Sequence, residues 1–212
     1  VAVSEGVRKD LISFGVMKNK IFVINNAYRN LETNERKEIN LKAWYEHKGK
    51  KLISVANLKT EKNISNLLKS IKLIKDRSSS TNIKLLIIGE GPLENRLKLE
   101  VKELDIESEV LFAGIIKNPF IYLNIADLFV LSSDFEGFGI VIIEAMSLGK
   151  TIVSTESEGP SEILSKGKLG YLCKVNDSED LANTILIALK NPKNSDELKI
   201  ESKKHTLDII GG

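Results

Sequence analysis

Two glutamates with seven residues between them stand in a run that passes from a strand through a glycine turn into a helix. The run is Ser132-Ser133-Asp134-Phe135-Glu136-Gly137-Phe138-Gly139, followed by Ile140 to Ile143, Glu144, Ala145 and Met146. Gly137 and Gly139 let the backbone approach a ligand closely. The N–H groups of the helix's first turn, which lack partners within the helix, can hold an anion. Glu136 stands at the mouth of the turn. Glu144 falls inside the helix among apolar neighbours, where an unpaired carboxylate is unfavourable. It therefore needs a hydrogen-bond partner, either a pair of ligand hydroxyls or a nearby lysine. Glu136 is correspondingly a ligand contact or a solvated loop acid.

Little else in the sequence competes with this run. Gly89-Glu90-Gly91-Pro92 makes a second glycine turn after an apolar run. A dinucleotide fingerprint requires a further glycine at the position occupied by Glu94, which speaks against a nicotinamide-dependent oxidoreductase. His47 and His205 lie in polar stretches, without a partner at metal-ligand spacing, and read as solvated. Cys173 alternates with apolar residues and reads as core. Trp44 and Tyr45 either cover a sheet edge or pack against a neighbouring domain. No Ser/His/Asp set and no structural metal spacing is evident, so the expected metal set is empty. Thirty-one basic residues against 29 acidic ones give a formal charge of +2, no support for a nucleic-acid partner. The single cysteine excludes an internal disulfide framework and fits a reducing, cytoplasmic compartment. Apolar runs such as Ile83 to Ile88, interrupted by Lys84, are far too short to span a membrane.

The elements that must carry these residues are legible as an alternation. Lys51–Asn57 predicts a strand and Asn63–Arg77 a helix, with apolar residues at 64, 67, 68, 71 and 74. Lys84–Gly89, Val110–Gly114, Asp127–Ser133, Thr151–Thr155 and Gly170–Val175 are further strands. Helices are expected at Leu93–Leu104, near Pro119–Ala126, at Gly139–Leu148 and, shorter, at Ser161–Lys166. Ser178–Lys190 closes the series, with Ser178 as N-cap. Such alternation gives right-handed crossovers and a parallel sheet covered on both faces. The expected fold class is α/β, a doubly wound, Rossmann-like parallel sheet of about six strands over residues 48–192. Sheets of this kind bind ligands at the carboxyl ends of their strands, where the strand order reverses.

Outside that core, residues 1–29 read as a strand end, a helix begun at Ser4 and a strand at Ile21–Asn25. Residues 30–50 form a polar connection. Residues 193–212 are a tail whose helix, over 194–209, places Ile200 and Leu207 on one side. Ser78-Ser79-Ser80 is a loop. Val1-Ala2-Val3 reads as the end of a strand, as expected of a chain that begins inside a longer one.

The run Glu136-Gly137-Phe138-Gly139-Ile140-Val141-Ile142-Ile143-Glu144 resembles the signature of family 4 glycosyltransferases, retaining enzymes of GT-B fold. Other landmarks of that family follow in order. Val3-Ser4 is similar to the close of its N-terminal domain, and Val23-Ile24-Asn25-Asn26 to the strand entering its donor domain. Gly89-Glu90-Gly91-Pro92 resembles its G-x-G-P turn, Phe112-Ala113-Gly114-Ile115 the segment beside the nucleotide base, and Glu158-Gly159-Pro160-Ser161-Glu162 the loop after the fifth strand. One landmark is altered. Where the family carries G-R-L with a lysine five residues after the arginine, this chain has Ala56-Asn57-Leu58 and then Lys62. The lysine is kept, and Asn57 replaces the arginine. By sequence alone Lys62 is an unremarked surface lysine.

The resemblance implies the C-terminal, donor-binding half of a glycosyltransferase. Glu136 would meet the donor sugar and Glu144 the ribose hydroxyls. Phe138 to Ile140 would offer backbone N–H groups to the diphosphate, Lys62 would grip it, and Gly89, Gly91 and Ile115 would lie along the nucleotide. It implies no obligatory metal or cofactor beyond the nucleotide-sugar donor, a uridine diphosphate sugar favoured over a GDP-sugar. The acceptor, a glycan or lipid-linked molecule, would sit on an N-terminal domain absent here. With that would come peripheral association with the inner face of a membrane. Two other readings stay open. One is a nucleotide-sugar epimerase of the same architecture, which needs its own acid and base beside the sugar. The other is a catalytically silent nucleotide-binding or partner domain, which the loss of the arginine would suit.

Overall fold

The computed structural model describes residues 41–77, 82–137 and 139–211, the backbone alone from 205 onward. The expectations for residues 1–40, for the Ser78–Ser80 loop and for Phe138 lie outside them. Six short strands form one parallel sheet: β1 (Lys50–Val55), β2 (Ile83–Ile88), β3 (Val110–Gly114), β4 (Leu128–Leu131), β5 (Thr151–Thr155) and β6 (Tyr171–Cys173). Their order is β3-β2-β1-β4-β5-β6. The chain builds outward from β1 through β3, returns to lay β4 on the other side of β1, and builds outward again. The strand order therefore reverses between β1 and β4, and the doubly wound expectation holds.

The helices are α1 (Ile64–Arg77), α2 (Glu94–Glu103), α3 (Phe120–Ile125), α4 (Ile140–Ser147), α5 (Glu158–Ile163), α6 (Ser178–Lys190) and α7 (Ser195–Gly211). Strand residues alternate between two cores because successive side chains point to opposite faces. Leu52, Leu85, Ile87, Leu128 and Val130 pack with α1, α2 and α6. Ile53, Leu86, Ile88, Phe129 and Leu131 pack with α3, α4, α5 and α7. Burial on both faces is why the strands read as apolar runs rather than alternating ones. At their amino ends β1 and β4 are clamped by Asp127, which accepts from Lys51 N (2.8 Å), while its own N–H donates to Lys51 O (2.8 Å). Lys50 Nζ adds an ion pair to the same carboxylate at 3.3 Å.

Several local expectations are corrected. The connection over 30–50 is not wholly polar surface: residues 41–45 are helical, and Trp44 is fully buried. Its ring packs on Ile53 and Leu86 and its Nε1 donates to Lys84 O at 3.1 Å. Asp177, not Ser178, caps α6, its carboxylate accepting from Asp180 N at 2.9 Å. The segment from Glu158 is helix, not loop, and starts three residues before the expected Ser161, because Pro160 sits in the first turn, where no N–H is needed. In α7 the buried apolar residue is Leu198, whereas Ile200 is exposed. His47 is half-buried rather than solvated, and that burial lowers its pKa. Cys173 is core as expected, its thiol pushed up to about 12 by burial and hence protonated at neutral pH. No helix among the described residues is long and apolar enough to cross a membrane.

Candidate functional site

At the carboxyl ends of β1 and β4, where the strand order reverses, a crevice of about 660 Å³ opens. Of the residues singled out from sequence, Asn57, Lys62, Gly89, Ile115, Glu136, Gly139 and Ile140 line it. Gly91, Gly137 and Glu144 lie outside its lining, although each adjoins a lining segment.

The β1 side is built by a short 3-10 turn, Thr60–Lys62, which ends in Asn63 at a left-handed φ of 39°. Asn63 then serves two neighbours. Its side-chain oxygen accepts from Asn66 N at 3.1 Å, and its Nδ2 donates to Asp134 Oδ1 at 2.6 Å. Ser132 Oγ donates to Lys62 O at 2.9 Å and Asp134 N to Glu61 O at 2.8 Å, tying the turn to the loop after β4. These bonds set the backbone positions from which Lys62 Nζ donates to Glu136 Oε2 at 2.5 Å. The two side chains are 21% and 16% exposed, so neither is a solvated surface group. Glu136 is thus no free loop acid, and Lys62 no surface lysine.

The glycines divide by purpose. Gly89, at φ +131°, and Gly91 are pressed against the segment after β1: a Cβ on Gly89 would lie 2.0 Å from Ala56 O, and one on Gly91 2.5 Å from Leu58 O. Leu58 N donates to Glu90 O (3.0 Å) and Leu93 N to Leu58 O (3.1 Å) across the same seam. Their glycines serve the close approach of two loops. Gly139, at φ +68°, is the residue from which α4 starts, a left-handed conformation that favours glycine. At Gly137 a Cβ would meet nothing within 4 Å. Its Cα is therefore open on that side, while its carbonyl lies against Gly159.

The first turn of α4 faces the crevice through Gly139, Ile140 and Val141. Glu144 lies one turn further along the same helix, half-buried, and no hydrogen bond or ion pair to its carboxylate is found among the described residues. Burial raises its pKa. Among the described residues, the lysine partner that the sequence left open is not found.

Sequence reasoning missed the parts that hold the loops in place. Gly159 N donates to Glu136 O at 3.2 Å, and a Cβ at Gly159 would come within 2.5 Å of Gly137 O. Thr155 Oγ1 donates to Ser133 O at 2.5 Å. A glycine directly before a proline was the one visible sign. Ser132 carried none, because its partner is distant in sequence, as is the Asp134 that Asn63 bonds besides its local partner Asn66.

Comparison with known proteins shows the family of the chain. The family described as "Glycosyl transferases group 1" matches residues 35–205. The chain belongs to that family. N-acetyl-alpha-D-glucosaminyl L-malate synthase of Bacillus anthracis is 34% identical over 140 residues, 66% of this chain and 36% of that protein. A second relative, from Campylobacter jejuni, is N-acetylgalactosamine-N,N'-diacetylbacillosaminyl-diphospho-undecaprenol 4-alpha-N-acetylgalactosaminyltransferase. It is 30% identical over 194 residues, 90% of this chain and 50% of the relative. The chain thus spans between about a third and a half of these relatives' lengths. Among solved structures of GT-B glycosyltransferases, Anabaena HepE in complex with UDP-glucose superposes with a TM-score of 0.68 at 21% identity, over 98% of this chain and 58% of HepE. The catalytic domain of cholesterol-alpha-glucosyltransferase from Helicobacter pylori gives 0.59 at 26% identity, over 75% of this chain and 99% of that domain. The group 1 fold accordingly accounts for the sheet order and for the crevice at its centre.

Proposed function

We propose that this group 1 chain is the donor-binding half of a retaining glycosyltransferase. It would take a sugar from a nucleoside diphosphate sugar and deliver it to an acceptor hydroxyl in polysaccharide or cell-envelope glycan synthesis. The observation that carries the reading is the meeting of Lys62 and Glu136 at the point of strand reversal, beside the first turn of α4. The chemistry asked of such a site is electrostatic. As the sugar–phosphate bond breaks, charge gathers on the leaving diphosphate. The Lys62 ammonium and the positive end of α4, eight residues long, would stabilise it there. Glu136 would orient the donor sugar. Glu144, a half-buried carboxylate without a partner among the described residues, would accept from the two ribose hydroxyls. Ile115 and the Gly89–Gly91 turn would flank the base, Asn57 and Gly137 the diphosphate, and Phe138 would add a backbone N–H.

A uridine diphosphate sugar is the donor we favour, supported by solved neighbours bound to UDP or UDP-glucose. A lipid-linked or glycan acceptor accords with the diphospho-undecaprenol in the name of the Campylobacter relative. The acceptor would be held by the other half of the protein, working in the cytoplasm at the inner face of a membrane. This chain alone would then bind donor without turning it over. Calorimetric titration with UDP, GDP and ADP tests the reading. Saturable binding of one nucleotide, abolished by Glu144→Ala and weakened by Lys62→Ala, is the expected result. Absence of binding by all three nucleotides and by their glucose esters would remove the reading.

A second reading, a nucleotide-binding domain without catalytic power, is favoured by one observation. Lys62 is the sole cation among the described residues lining the crevice, where the family pattern has two.

A further inference from the structure

The lining of the crevice holds one ammonium, Lys62, and two carboxylates, Glu90 and Glu136, among its described residues. Its only cation is already spoken for, since Lys62 Nζ sits 2.5 Å from Glu136 Oε2 with both side chains largely shielded from water. An arriving diphosphate therefore meets a neutralised lysine and an adjacent negative charge.

We propose that the Lys62–Glu136 pair makes the crevice distinguish an intact nucleoside diphosphate sugar from the bare nucleoside diphosphate, through an exchange of partners at both charged groups. The proposal rests on the donor-site reading above. For a phosphate oxygen to take Lys62 Nζ, Glu136 must release it. A carboxylate separated from its cation in a half-buried site is unfavourable unless other donors replace the lost bond. The intact donor brings such donors, the hydroxyls of its sugar, so both halves of the opened pair find new partners. The bare nucleoside diphosphate brings none. It must either leave Lys62 to Glu136 or leave Glu136 unpaired beside a phosphate of like charge. The same pair thus admits substrate and loosens the spent nucleotide, and re-forms when the nucleotide departs. With Asn57 where a second cation would stand, the described lining has no other cation to mask the effect.

The test is calorimetric titration of the chain with UDP, GDP and ADP, each alone and as its glucose ester. Wild type should bind the glucose ester of its preferred nucleotide more tightly than the bare nucleotide. Glu136→Gln frees Lys62 and should tighten the bare nucleotide about tenfold, the worth of one charge-assisted hydrogen bond. The ester should change by less than about threefold, since the amide still bonds sugar hydroxyls while the charge is gone. Glu136→Ala must give the same gain for the bare nucleotide and, lacking the amide, a loss for the ester. Adding Lys62→Met to either variant should erase the gain. A folded Glu136→Gln or Glu136→Ala chain whose bare-nucleotide affinity is unchanged or weaker overturns the exchange while leaving the donor site standing. A wild-type chain that binds none of the six ligands overturns the donor-site reading itself.

Discussion

Glu144 carries a charge that the fold disfavours. A carboxyl whose pKa is raised by burial holds its proton more tightly in the folded chain than in the unfolded one. Stability contributed by this group is therefore intact below the unfolded value, about 4.3, and falls as pH rises through the folded value. Glu144→Gln should raise the melting temperature of the ligand-free chain at pH 7, and the difference should vanish in thermal melts near pH 4. The same variant should lose nucleotide affinity, so stability and binding move in opposite directions. Asn57 makes the complementary case. It is exposed at the rim of the crevice beside Gly91. Asn57→Arg should tighten binding of a nucleoside diphosphate by about tenfold in calorimetry, as a charged hydrogen bond replaces a neutral one. No gain would favour the silent-domain reading. The identities of Glu136, Glu144 and Lys62 were legible in sequence. The pairing of Lys62 with Glu136 was not, because 74 residues separate them and only the β1–β4 contact brings them together.

Elements read from apolar periodicity were found where expected, with β3, β5 and α6 matching at both ends. The other strands are shorter or shifted, since ladder pairing stops where the chain turns into the loops that form the site. Capping was less legible, because Asp177 and Ser178 are both good N-caps and only geometry chooses. Asp177→Ala should lower stability by about 1 kcal/mol in urea denaturation, and Ser178→Ala by much less. The loops supply a sharper contrast. Gly89→Ala places a methyl within 2.0 Å of Ala56 O at a left-handed φ, and should destabilise by at least about 2 kcal/mol. Gly137→Ala meets open space and should stay within about 0.5 kcal/mol of wild type. That measurement separates glycines required by close packing from one whose Cβ position is open, which no reading of the bare sequence could do.

For the whole molecule, Trp44 ties the segment before β1 to the sheet. It is fully buried against Ile53, Leu86 and Phe129, so Trp44→Ala should cost about 3–5 kcal/mol in chemical denaturation. The charges around Trp44 and Tyr45 made the segment read as a polar connection, and the sequence left open whether the two rings cover a sheet edge or pack against a neighbouring domain. The return of the chain from β3 to β4 has a consequence for how the protein is made. During synthesis the ribosome releases β1, β2 and β3 before β4 exists, so half of the crevice emerges and waits without its counterpart. The lining, residues 55–141, is complete only once β4 and the start of α4 have followed, and a ligand that needs both walls recognises only chains that have passed that point. Such a ligand selects molecules with both walls in place by mass action. At a hundred times its dissociation constant it would deepen the native state by about 2.7 kcal/mol. On the proposed donor-site reading, the cell's pool of nucleotide sugar would act as an inspector of newly made chains, and starvation for it should leave more of them open to proteolysis.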